Sequence, residues 1–75
     1  MSAKLTFYIR GELITLDALL KAQGIADSGA QAKQMIAQGQ VRVDGEVELR
    51  KTRKLRGGET VLVNNTEITL ARQPQ

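Results

Sequence analysis

The chain has 75 residues, no cysteine, no histidine and two aromatic residues, Phe7 and Tyr8. That length supports one small core, because a domain of this size buries only about 60% of the surface its unfolded chain exposes. It also excludes a disulfide framework and a thiolate or imidazole metal site, so no metal and no cofactor is expected.

The formal charge is +3, and it is unevenly placed. Lys33 to Arg56 holds seven Lys/Arg against Asp44, Glu46 and Glu48, a net +4, which leaves −1 for the rest. Such asymmetry points to a polyanionic partner. No apolar run reaches the length of a signal peptide or a membrane span, so a cytoplasmic location is expected.

In chain order, Leu5, Phe7 and Ile9 alternate with Thr6, Tyr8 and Arg10, which predicts a strand over 5–10 that Gly11 ends. Leu16, Leu19 and Leu20 then follow the helical period, with Thr15 placed to cap the start and Gly24 to end a helix over 16–23. A second helix is predicted from Ser28 to Gly39. Ser28-Gly29-Ala30-Gln31 fits a capping box in which Gln31 reaches back to the Ser28 amide, and Ala32, Met35 and Ile36 form the core stripe.

After Gly39 the strand period returns on both sides of Asp44-Gly45. A two-residue turn would pair Val41 with Glu48 and split the apolar residues between faces. A three-residue loop, Val43-Asp44-Gly45 with a bulge, would instead set Val41 against Val47 and Arg42 against Glu46, and this register is expected. Asn64-Asn65 predicts a last tight hairpin, 60–64 with 66–70, placing Val61 opposite Ile68. Residues 71–75, ending in Gln73-Pro74-Gln75, are expected to form a flexible tail. The whole reads as one α+β domain over residues 1–75, with two short helices on a small, mainly antiparallel sheet.

Two regions could bind a polyanion. On the second helix, Gly29, Ala30, Lys33 and Ala37 share one flank and Gln31, Gln34 and Gln38 the other, which leaves a low, open face around Lys33. Small residues there could equally serve close packing. The run Arg50-Lys51-Thr52-Arg53-Lys54-Leu55-Arg56 places five cations in seven positions with no acid inside it. Its Leu55 is suited to anchor the run in the core, and the cations to meet phosphates.

A lack of aromatic platforms argues against reading single strands by stacking, since Tyr8 alone is placed for a solvent face. Recognition of a folded RNA by shape and phosphate position remains, with Gln31 available to 2′-hydroxyls or base edges. A DNA-binding helix-turn-helix is the competing geometry, but its second helix would carry a single cation. Without His or Cys no nucleophile and base pair can be assembled, so catalysis is not expected. A module binding an acidic partner protein is the alternative outside nucleic acid.

The stretch from Leu16 to Val63 resembles the RNA-binding domain named after ribosomal protein S4. The resemblance is carried by Leu16-Asp17-Ala18-Leu19-Leu20, Ser28-Gly29-Ala30-Gln31-Ala32-Lys33, Ile36 to Gly45 and Gly58-Glu59-Thr60-Val61. Within that family it is most similar to small stand-alone bacterial members that consist of little else. The resemblance implies an αL motif, with the second helix, its N-terminal loop and the loop after the hairpin forming an RNA surface. Gly29 departs from the pattern, standing where many members have arginine. The expected RNA-binding residues are thus Ser28, Gly29, Gln31, Lys33, Arg42, Arg50, Lys51, Arg53, Lys54 and Arg56. The expected partner is a structured RNA, ribosomal or transfer RNA being plausible, with no membrane, no small-molecule substrate and a monomeric state.

Overall fold

The computed structural model describes residues 3–73. In chain order the elements are β1 (Ala3–Ile9), β2 (Ile14–Thr15), α1 (Leu16–Ala22), α2 (Gly29–Ala37), β3 (Val41–Val43), β4 (Glu46–Val47), β5 (Lys54–Leu55), β6 (Thr60–Val63) and β7 (Thr66–Arg72). Five strands form one mixed sheet in the order β1-β7-β6-β3-β4, in which β1 runs parallel to β7 and the other pairs are antiparallel. A separate two-stranded piece joins β2 to β5. The chain is the α+β domain that its periodicities predict.

The helices pack on one face of the sheet. Leu16, Leu19 and Leu20 of α1 and Ala32, Met35 and Ile36 of α2 join Val41, Val43, Val61, Val63, Ile68 and Leu70 of the strands in a single buried cluster. Both helices end in the same way. The Gly24 amide donates to the Lys21 carbonyl and the Ile25 amide to Leu20; Gly39 and Gln40 repeat the pattern with Ile36 and Met35. This double bond satisfies the last carbonyls and requires a left-handed residue, which Gly24 and Gly39 supply at φ of 73° and 77°. Hence two seven- and nine-residue helices stop where the sequence places glycine.

Several expectations are corrected. The bulged register is not formed: Arg42 pairs with Val47 and Val43 with Glu46, across a two-residue Asp44-Gly45 turn with φ of 52° and 85°. Turn chemistry outweighs the apolar pattern, because β4 is an edge strand and leaves Val47 exposed outside the core. The Asp44 carboxylate accepts from the Thr60 amide (3.0 Å) and the Asp44 amide donates to the Thr60 carbonyl (2.8 Å), which ties the turn to β6.

The Asn64-Asn65 hairpin forms as expected, with Val61 opposite Ile68. Thr15 occupies the N-cap of α1, but its side chain makes no capping bond. Ala71 and Arg72, expected in a flexible tail, are the last residues of β7 and pair with Tyr8 and Ile9. Pro74 and Gln75 lie outside the described residues.

Candidate nucleic-acid interface

The basic segment from Arg50 to Arg56 is held to the domain at both ends and in the middle. At its centre the carbonyls of Lys51 and Arg53 accept from the amides of Asp17 (3.1 Å) and Leu16 (2.9 Å). The segment therefore satisfies the first amides of α1, the task expected of the Thr15 hydroxyl. Lys54 and Leu55 form β5 against Thr15 and Ile14, and Leu55 is fully buried, so it is the predicted anchor. At the far end the Glu59 carboxylate accepts from the Arg56 amide (2.9 Å) and the Gly57 amide (2.7 Å). Gly57, at φ 117°, is pressed so close to Arg72 that a Cβ would approach its Cγ to 2.8 Å.

At the near end stands Glu48, the one buried charged residue among those described. The two-residue turn places it opposite Val41, whose carbonyl accepts from the Glu48 amide at 3.0 Å. Its carboxylate accepts from Arg50 Nε (3.1 Å) and Nη2 (3.2 Å), from the Arg50 backbone amide (3.1 Å) and from Arg53 Nη1 (2.9 Å). The side-chain bond from Arg50 is the main cause that holds the Glu48 carboxyl at about 2 against an ordinary 4.5. Burial opposes it, and the Arg50 amide and Arg53 add to it. The same pairing raises the Arg50 pKa.

The basic run contains no acid, yet it is compensated by the carboxylate just before it. Sequence reading missed this partner because the favoured register turned Glu48 to the other face; the rejected register, pairing Val41 with Glu48, was the signal. Arg50, Thr52, Arg53, Lys54 and Arg56 line one open hollow of about 430 Å³. Lys51 is exposed beside them.

The α2 candidates form a second group. Ser28 Oγ accepts from the Gln31 amide (3.2 Å), as a capping box requires, but the Gln31 side-chain oxygen takes the Asp27 amide instead of the Ser28 amide. Gln31 and Lys33 are exposed, on a helix packed against α1. Gly29 opens the helix, and a Cβ added there would meet nothing within 4 Å. α1 packs on α2 and carries the basic segment at its own N-terminus. Arg42 is not brought to them in the same way. Its neighbours Val41 and Val43 are buried under the helices, so Arg42 lies on the opposite sheet face, between Leu62 and Val47.

Tyr8 is the exposed aromatic, at 53%. It belongs to a separate hollow of about 520 Å³ with Arg10. Among the described residues there is no group of His, Cys, Asp or Glu that could hold a metal ion, and no helix is long and apolar enough to cross a membrane.

A small α+β domain with a fixed cationic segment beside a two-helix layer has the construction of a polyanion-binding module. The chain belongs to the S4 domain family, which it matches over residues 7–71. It is 56% identical over 48 residues to YbcJ of Escherichia coli (strain K12) and to YbcJ of Shigella flexneri. In each case the match covers 64% of this chain and 69% of the relative. Its fold is similar to the solution structure of E. coli YbcJ, with a TM-score of 0.62 and 39% identity, over 95% of this chain and 89% of that one. That structure is described as revealing an alfaL motif involved in RNA-binding. The family resemblance carried by the sequence motifs is therefore correct.

Proposed function

We propose that this protein binds a structured RNA through phosphate contacts and shape, without catalysis of its own. The observation that carries the reading is the construction of the 50–56 segment, whose backbone is tied to α1, β2 and Glu59 while its cations stay at the surface. A fixed array meets phosphates at set positions, as recognition of a folded RNA demands. Membership of the S4 family, and the RNA-binding motif described for YbcJ, support the same reading. In it, Lys51, Lys54 and Arg56 with the Glu48-held Arg50 and Arg53 contact phosphates. Ser28, Gly29, Gln31 and Lys33 form the helix side of the surface, and Arg42, on the far sheet face, contributes only to the wider field.

Counterion release makes this measurable. With about five cations on phosphates, log affinity falls against log salt with a slope between about −3.5 and −4.5. Lys51→Ala with Lys54→Ala flattens that slope by about 1.4 to 1.8 and weakens different RNAs alike, because phosphate contacts position without reading sequence. Titration of wild type and double variant at several salt concentrations is the test. An unchanged slope removes the segment from the RNA site and favours an acidic protein as its partner.

A further inference from the structure

We propose that Glu48 is a specificity-determining residue of the cationic segment. By holding the guanidinium groups of Arg50 and Arg53 on one carboxylate, it sets them at a spacing that suits the phosphates of a folded RNA better than those of a flexible strand. This inference rests on the RNA-binding reading above.

A carboxylate is the wrong charge for a surface that binds phosphates, so Glu48 does not serve raw attraction. It subtracts one charge from the segment, and its own burial is costly unless fully compensated. The compensation comes entirely from the segment. Arg50 spends Nε and Nη2 on it and Arg53 spends Nη1, at 2.9 to 3.2 Å, and each keeps further N–H groups free. Both arginines line the open hollow with Thr52, Lys54 and Arg56.

Their geometry is therefore set before any ligand arrives. An arginine side chain otherwise loses much rotamer freedom when a partner immobilises it, and one already held loses less. That advantage is unequal between ligands. A flexible strand can follow cations wherever they stand and gains chiefly from their charge. A folded RNA presents phosphates at fixed spacings and gains fully only when the cations are fixed too. Glu48 thus exchanges some attraction for discrimination, one buried carboxylate holding two arginines that stay at the surface.

The test compares a stem–loop RNA with an oligouridylate of the same length, so that total charge is equal. Removing one negative charge by Glu48→Gln is expected to tighten oligouridylate binding by about fourfold at moderate salt. Releasing two arginines is expected to weaken stem–loop binding by about tenfold. The preference for the folded RNA then collapses. If both RNAs instead gain alike and the preference is unchanged, Glu48 is only a charge penalty and the proposal is wrong.

Should circular dichroism show that Glu48→Gln does not fold, Arg50→Lys carries the test. It keeps the charge and Glu48 but cannot make the two-point contact through Nε and Nη2. A reduced stem–loop preference at unchanged salt slope supports the proposal, and an unchanged preference overturns it. A wild type that binds neither RNA sinks the RNA reading itself, and one that binds both equally sinks the preference for structured RNA; both outcomes are distinct from a variant that preserves a wild-type preference.

Discussion

Leu55→Ala probes the coupling between core and candidate interface, because Leu55 is fully buried while its neighbours Lys54 and Arg56 are exposed. The truncation removes roughly three methylene equivalents, worth about 2.4 kcal/mol by transfer, and the cavity left behind brings the cost to about 3 to 5 kcal/mol. A chain of this length has a total stability of about 4 to 11 kcal/mol, so the truncation removes a large fraction of it and the folded fraction of the variant must be measured alongside binding. In urea, with a slope of about 1 kcal/mol/M, the unfolding midpoint drops by about 3 M or more.

Met35→Ala is the matched control, since Met35 belongs to the same core on α2 and its truncation costs about 2 to 5 kcal/mol. Both variants lose stability, but only Leu55→Ala also frees the cationic segment. Stem–loop affinity, corrected for the folded fraction, falls in Leu55→Ala and stays near wild type in Met35→Ala. A loss below about 1 kcal/mol in Leu55→Ala, or equal RNA affinities in the two variants, refutes the assignment of Leu55 as the anchor.

Two further outcomes follow from the charges. Glu48 has its folded pKa lowered to about 2 from 4.5, so its stabilising contribution is complete above the unfolded value and is lost as pH falls from about 4.5 towards 2. The bare shift corresponds to about 3 kcal/mol; with Arg50 largely exposed, screening reduces this to about 1 to 2 kcal/mol, and acid unfolding of Glu48→Gln should lack that step. Gly29→Arg places a cation at the start of α2, where a side chain has open space. It should steepen the salt slope by about 0.7 to 0.9 and tighten RNA binding, and an unaltered slope would place the start of α2 outside the contact.

Legibility in the sequence depended on how locally each feature is determined. The helices were readable because their stripes and their glycine stops lie within a few residues of one another, and both stops formed where Gly24 and Gly39 stand. The Asn64-Asn65 hairpin was readable for the same reason. The two-stranded β2–β5 pairing was not, because Ile14 and Leu55 lie far apart in sequence and each strand is too short to show a period. The hairpin at Asp44-Gly45 forms, but with the two-residue turn and not the bulged register. Turn chemistry outranks the apolar pattern there, because an edge strand has no obligation to bury Val47. The expected register hid Glu48, and with it the compensation of Arg50 and Arg53. The cationic run itself was plain from composition, but its rigidity depends on backbone bonds that no composition reveals.

Those backbone bonds also decide how the surface can be dissected. Lys51 and Arg53 contribute carbonyls to the N-terminus of α1 while Arg53 and its neighbours line the open hollow with their side chains. Because every residue type except proline keeps both amide and carbonyl, substituting these side chains removes charge without removing the cap of α1. Shortening the segment does the opposite. It would leave Leu16 and Asp17 without acceptors, withdraw Leu55 from the core and unpair β2, so loss of binding in a deletion would report on folding as much as on contact. Side-chain substitutions at Lys51 and Lys54, where charge leaves and the backbone frame stays, therefore separate the two roles of the segment, and the salt slope is the quantity that distinguishes them.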